Sequence, residues 1–171
     1  IAERFGTTTL ELIQNNPELM GKTDIYNGQI LTISYPAPEY GSITVNGFAF
    51  PNIQREVLER TLPYLTYLSI FSHSVKEDGT LSEIDDANLI SEAKRYRVLP
   101  IMVLTNLSSR GGFSSELADE VLNNEALQDQ LIESIYERIR ERGYNGVDVD
   151  FEYIGKDNAE MYTNFINKLR Q

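Results

Sequence analysis

The chain has 171 residues, 41% of them hydrophobic and 24% charged, a composition that supports one ordinary globular domain or two small ones with a real core. The balance of 15 basic against 26 acidic residues gives a net charge of −11, which argues against binding a nucleic-acid phosphate backbone or an anionic membrane and favours an uncharged partner. Cysteine is absent, so disulfides, thiolate metal sites and a cysteine nucleophile are excluded, and a single histidine, His73, cannot build a multi-histidine metal site.

No apolar run reaches membrane-spanning length, and Ile1 opens inside an amphipathic pattern, so the chain is expected to be soluble and to lack its true start. Ile1, Ala2 and Phe5 share one helical face that Gly6 stops. Thr9 is placed to cap a second helix carrying Leu10, Leu12 and Ile13, which Asn16-Pro17 ends. Ile25-Tyr26-Asn27-Gly28 then reads as a turn feeding a short strand over 29–33. The two prolines and the glycine of Tyr35-Pro36-Ala37-Pro38-Glu39-Tyr40-Gly41 predict a linker over 36–41, dividing residues 1–35 from 42–171. Residues 1–35 are too few to bury a core alone. Their pattern resembles a LysM module, a small sugar-binding unit, without that family's first strand and Gly-Asp-Thr turn. The resemblance implies sugar contacts at Asn16, Pro17, Ile25 and Tyr26.

Beyond the linker, strands predicted over 43–50, 65–71, 99–104 and 146–152 alternate with helices over 53–62 and 86–96, helical stretches between 115 and 142, and a helix from about 158 to the end. Gly143 marks the stop of the longest helical region. Four strand-helix units in succession imply an α/β fold with a parallel sheet, either open or part of a (β/α)8 barrel. No phosphate-cradling glycine loop follows the first strand, which lowers a nucleotide-binding reading. A whole barrel takes roughly 250 residues, so the chain is expected to supply only the first four units, cut at both ends, with open sheet edges that favour self-association.

The chemistry-bearing run is Asn145-Gly146-Val147-Asp148-Val149-Asp150-Phe151-Glu152. Strand alternation puts Asp148, Asp150 and Glu152 on one face and Val147, Val149, Phe151 and Tyr153 on the other. Carboxylates two residues apart on a strand lie about 6 to 7 Å apart, so burial and mutual repulsion favour protonation of at least one of them. A carboxyl group held protonated beside a carboxylate suits general-acid work at a glycosidic bond. The same alternation also describes a half-solvated strand, and a carboxylate set can hold magnesium or calcium. The metal reading is weakened because no further acidic cluster stands at the other strand ends.

This run resembles the Asp-Gly-x-Asp-x-Asp-x-Glu signature of glycoside hydrolase family 18, with Asn145 in place of the first aspartate. In combination with the LysM-like segment it is similar to bacterial spore-cortex and cell-wall N-acetylglucosaminidases. The resemblance implies cleavage of β-1,4 bonds next to N-acetylglucosamine in peptidoglycan or chitin, in the spore or cell wall, with no cofactor and no metal. It also implies substrate-assisted catalysis with retention: Glu152 as acid and base, Asp150 orienting the substrate acetamido group, and Asp148 tuning Asp150. Chitinase, endo-N-acetylglucosaminidase and a non-catalytic sugar-binding relative are the alternatives. The family's Ser-x-Gly-Gly motif is displaced here to Ser109-Arg110-Gly111-Gly112, predicted as loop. Its later-strand tyrosine and last-strand aromatic floor have no counterpart, so these residues alone are expected to form an incomplete site.

At the other strand ends, Phe48 and Phe50, then Ser72 and His73, then Asn106, are placed to line a sugar site, with Phe50, Asn106 and Tyr153 as candidate substrate contacts. For His73, beside Lys76, Glu77 and Asp78, simple solvation in a loop is the plainer expectation.

Overall fold

The computed structural model describes residues 1–22, 24–34 and 41–170, so most of the predicted linker over 36–41 lies outside the described residues. Four parallel strands in the order β1-β2-β3-β4 form one sheet: β1 Asn46–Ala49, β2 Tyr67–Ser74, β3 Leu99–Thr105 and β4 Val147–Asp150. Helix α1, Thr9–Gln14, precedes them; α2 Arg55–Thr61, α3 Ala87–Arg95, α4 Ser115–Asn123 and α5 Glu125–Arg142 make the crossovers, and α6 Ala159–Leu169 follows β4.

Strand order equal to chain order is what successive strand-helix units produce when every crossover has the same hand. One face of the sheet carries Ala49, Leu68, Ile70, Met102, Leu104, Val147 and Val149 against Leu58, Leu62, Leu89, Ala93, Leu131, Ile135 and Phe165 from the helical layer. The helices stop for local reasons. At the end of α5, Gly143 adopts φ 80°, a left-handed conformation that favours glycine, and its N–H closes the helix on the Ile139 carbonyl. Asn124 closes α4 and caps α5, its side chain accepting from the Leu127 N–H.

Several elements differ from the sequence reading. Helix α1 is capped by Thr8, one residue before Thr9, because Thr8 and Glu11 form a reciprocal capping box at 3.1 and 2.8 Å. The first strand is confined to Asn46–Ala49, with Ile43 exposed ahead of it. The strand predicted over 29–33 does not form. Instead the Asn16 carboxamide takes the place of a strand neighbour: its oxygen accepts from Thr32 N–H at 2.7 Å, and its nitrogen donates to the Thr32 carbonyl at 2.8 Å and the Leu12 carbonyl at 2.6 Å. The Asn15 side chain adds a bond to the Ile33 carbonyl, and Gln14 reaches the Pro63 carbonyl, docking this segment beside α2.

Asn16 is buried, and removing its amide strands the Thr32 N–H. Asn16→Ala is expected to destabilise the fold by about 1–3 kcal/mol in urea denaturation, with amide exchange at Thr32 accelerated well beyond that at Met102 in the central sheet.

Candidate active site

In β4 the apolar side chains decide which way the acidic ones point. Val147, Val149 and Phe151 pack onto the core, with Phe151 stacked on Phe165 at 6.1 Å between centroids. Alternation therefore turns Asp148 and Asp150 to the sheet face away from the helices, where both are half-buried. The register sets Asp148 beside Val103 and Asp150 beside Thr105. Burial, and after it the neighbouring Asp150, pushes the Asp148 carboxyl above its ordinary range. The same face gains hydroxyls at the strands' C-terminal ends, with Thr105 Oγ1 lying 3.2 Å from Ser72 Oγ and 3.4 Å from Ser74 Oγ.

Strand β4 ends at Asp150, two residues short of the predicted end, and Glu152 stands exposed just past it. Its backbone is held all the same. The Asn106 Oδ1 accepts from Glu152 N–H, and Asn106 Nδ2 donates to the Glu152 carbonyl, both at 2.9 Å. Aromatic rings flank this end of the sheet in two pairs. Phe50, exposed, meets Phe71 edge-on at 5.0 Å, and Phe113 meets Tyr153 edge-on at 6.4 Å.

The structure redistributes several residues singled out in the sequence. Asn106 is fully buried with its carboxamide engaged by backbone, so it reaches the site through Glu152 and makes no outward contact of its own. Tyr153 does not continue the apolar face; it lies past the strand at φ 58° and is 73% exposed. Phe48 shares a register row with Ser69 and Ile101 on the carboxylate-bearing face. Asn145, at the place of the family aspartate, is exposed, and its N–H bonds the Pro100 carbonyl at 2.8 Å. In the N-terminal segment Asn16 is engaged with backbone, Pro17 opens a short 3-10 turn, and Ile25 and Tyr26 are exposed.

His73 departs most from expectation. It is not a solvated loop residue: it lies inside β2 and is fully buried. The ladder with β3 breaks register between Ile70 and His73, which shifts the strand's phase and turns His73 to the helical side. There Nδ1 lies 2.8 Å from the Ser82 carbonyl and Nε2 lies 3.3 Å from Asp86, which also accepts from Tyr144 Oη at 2.7 Å and Arg142 at 3.0 Å. Burial pushes the imidazole below its ordinary range, opposed by the Ser82 carbonyl and Asp86. This cluster is therefore behind the sheet, away from the carboxylates. Ser74, Thr105, Phe71 and Phe113 are the site neighbours that sequence reasoning passed over. The Ser72-x-Ser74 spacing and the place of Phe113 just after Gly111-Gly112 were the available signals.

Among the described residues no helix is long and apolar enough to cross a membrane, and no three His, Asp or Glu side chains are grouped to hold a metal ion.

No protein-family model matches the chain. It is 36% identical over 121 residues to YdhD of Bacillus subtilis, provisionally named a sporulation-specific glycosylase, covering 70% of this chain and 29% of that protein. It is 34% identical over 119 residues to a cortical fragment-lytic enzyme of Bacillus subtilis, covering 70% of this chain and 27% of the relative. The crystal structure of the spore cortex-lytic enzyme SleL of Bacillus cereus superposes with a TM-score of 0.73 at 26% identity, covering 98% of this chain and 40% of that one. A class V chitinase from Pseudomonas fluorescens shares the fold, with a TM-score of 0.69 at 18% identity over 75% of this chain and 40% of the other. The chain thus spans less than a third of the curated relatives it matches. Its homologues are sporulation glycosylases and cortical fragment-lytic enzymes, and its parallel α/β fold is similar to that of chitinases.

Asp148 carries a stability cost that can be measured. A carboxyl whose folded pKa is raised destabilises the fold once pH climbs through and above that pKa, and costs nothing below the ordinary value of 3.8. Asp148→Asn is therefore expected to raise Tm at pH 7, with the gain over wild type shrinking to nothing as pH falls toward 4; a gain independent of pH would contradict this.

Proposed function

We propose that this chain carries the acid-bearing part of a glycoside hydrolase that cleaves β-1,4 bonds next to N-acetylglucosamine in peptidoglycan, with spore cortex as the natural substrate and the spore as its location. One observation carries the reading: Asp148 and Asp150 are turned to one face of a parallel strand, and Glu152 is fixed just past that strand's C-terminal end. In barrel enzymes this end of the strands is where catalytic groups stand. The homology to cortical fragment-lytic enzymes supports peptidoglycan over other polymers that contain N-acetylglucosamine.

The reaction proposed is substrate-assisted. The acetamido oxygen of the sugar attacks its own anomeric carbon while the glycosidic C–O bond breaks, and the Glu152 carboxyl gives its proton to the departing oxygen. Asp150 orients the acetamido group and offsets the positive charge of the cyclic oxazolinium intermediate. The Glu152 carboxylate then takes a proton from water as that water opens the intermediate, so the anomeric configuration is retained overall. Asp148, deeper on the strand, tunes the charge on Asp150. The exposed rings of Phe50 and Tyr153 suit stacking on pyranose faces. Residues 1–35 are read as a LysM-like segment that holds the same polymer, with Tyr26 offering an exposed ring.

In the full-length protein, Glu152→Gln is expected to reduce kcat for release of reducing ends from purified cortex peptidoglycan by roughly 10²–10⁴-fold with the fold intact. Activity equal to wild type would sink the assignment, and a wild-type preference for chitin over peptidoglycan would move the substrate to the chitinase alternative.

A further inference from the structure

We infer that Asn106 is the positioning residue for the Glu152 carboxyl; this rests on reading Glu152 as the acid. The sheet itself does not fix Glu152. Pairing between β3 and β4 ends at Thr105↔Asp150, and at Tyr153 the backbone has already turned to φ 58°. Asn106 is the first residue beyond β3, and its side chain supplies the contact that the ladder no longer does. Its oxygen accepts the Glu152 N–H and its nitrogen donates to the Glu152 carbonyl, so the residue is gripped on both sides of its Cα. Two bonds on either side of one Cα fix the rotation of that backbone unit, and so the direction in which the Glu152 side chain leaves it.

The second Nδ2 hydrogen goes to the Ser114 carbonyl at 2.9 Å, while Ser114 N–H returns a bond to the Asn106 carbonyl at 2.9 Å. Asn106 thereby closes the base of the loop that carries Phe113, whose ring meets Tyr153. Within the loop Leu107 bridges Phe113, and Gly111 and Gly112 take φ 83° and 85° to turn it back. Only a primary amide offers one acceptor and two donors in this arrangement. Aspartate, of the same shape, would face the Glu152 and Ser114 carbonyls with oxygen. Asn106 is fully buried and touches no substrate, so its effect on the reaction passes entirely through Glu152.

The test uses the full-length protein with Asn106→Asp, Asn106→Ala and Glu152→Gln, on cortex peptidoglycan and on an aryl N-acetylglucosaminide whose leaving group departs without a proton. The Asn106 variants are expected to lose about 10- to 100-fold in kcat on peptidoglycan, the scale on which an ångström of misplacement is felt, with KM little changed. The loss in kcat/KM, which reports the first, acid-assisted step, should largely vanish on the activated glycoside, while kcat there keeps the share that Glu152 contributes as base in the second step. In the Glu152→Gln background, Asn106→Ala should cost little more, because the group it positions is gone. Wild-type kcat for both Asn106 variants while Glu152→Gln is inactive overturns the clamp alone, as does an equal loss of kcat/KM on both substrates or a change confined to KM on peptidoglycan. An active Glu152→Gln overturns the acid assignment instead. Thermal unfolding screens each variant, and Asn106→Ser, judged by the same criteria, replaces any that does not fold.

Discussion

The phase of β4 against the helical layer governs most of what this structure can do. Val147, Val149 and Phe151 are committed to a core that includes Ile135 and Phe165. A one-residue slip in the pairing with β3 would exchange this set for Asp148 and Asp150, burying two carboxylates among aliphatic side chains. The register is therefore fixed from the apolar side. The acidic row, its neighbour Thr105 and the exit of Glu152 past the strand all follow from it. Asp148 and Asp150 need no interaction of their own to find that face.

A second phase choice, in β2, serves the opposite purpose. Up to Ile70 the even-numbered residues face the helices, and after the break in register the odd-numbered ones do, which buries His73 and Val75. His73 then joins Asp86, Tyr144 and Arg142 in a cluster that ties the end of β2 to the start of α3 and the end of α5. Burial raises the Tyr144 hydroxyl above its ordinary range and keeps it a donor to Asp86. Arg138 and Arg142 extend the cluster to Glu83 at the surface. Such a network is worth its desolvation only when every member is paired, and here it anchors the loop after β2 without any residue of the carboxylate row. The same break leaves Ser72 and Ser74 facing the carboxylates, so one irregularity supplies both a buried brace and two hydroxyls of the site.

Periodicity read from the sequence carried the strands, the helices and the two faces of β4, because burial against one layer imposes a strict alternation that the residues display openly. Boundaries moved where a side chain replaced backbone pairing. Thr8 with Glu11 displaced the cap by a residue, and Asn16 stood in for a strand partner at Thr32, so no strand formed over 29–33. The shared face of Asp148 and Asp150 was legible from the Asp-x-Asp spacing. His73 and Asn106 were not, and for different reasons. His73 turned on a change of phase inside a strand, which has no compositional mark. Asn106 turned on contacts 46 residues away in sequence, where a polar residue at a strand end reads equally as a substrate contact or as a clamp.

The site and the fold pull against each other at Asp148. An aliphatic side chain beside Val103 would add to the packing of that face, whereas the carboxyl there is half-buried and held above its ordinary range by burial and by Asp150. A stabilising core has no use for that arrangement, whereas the proposed reaction through a cationic intermediate does, since negative charge concentrated in a poorly solvated place acts more strongly on developing positive charge than the same charge in water. The helical layer supplies the stability that permits it, through the side chains of β4 that point the other way. Glu152 sits where neither demand rules: past the ladder, open to solvent, and oriented by an amide from the neighbouring strand. In the reaction proposed above, exposure lets that carboxyl exchange protons with water between the two steps, and the Asn106 clamp supplies the orientation that an exposed side chain at a strand end would otherwise lack.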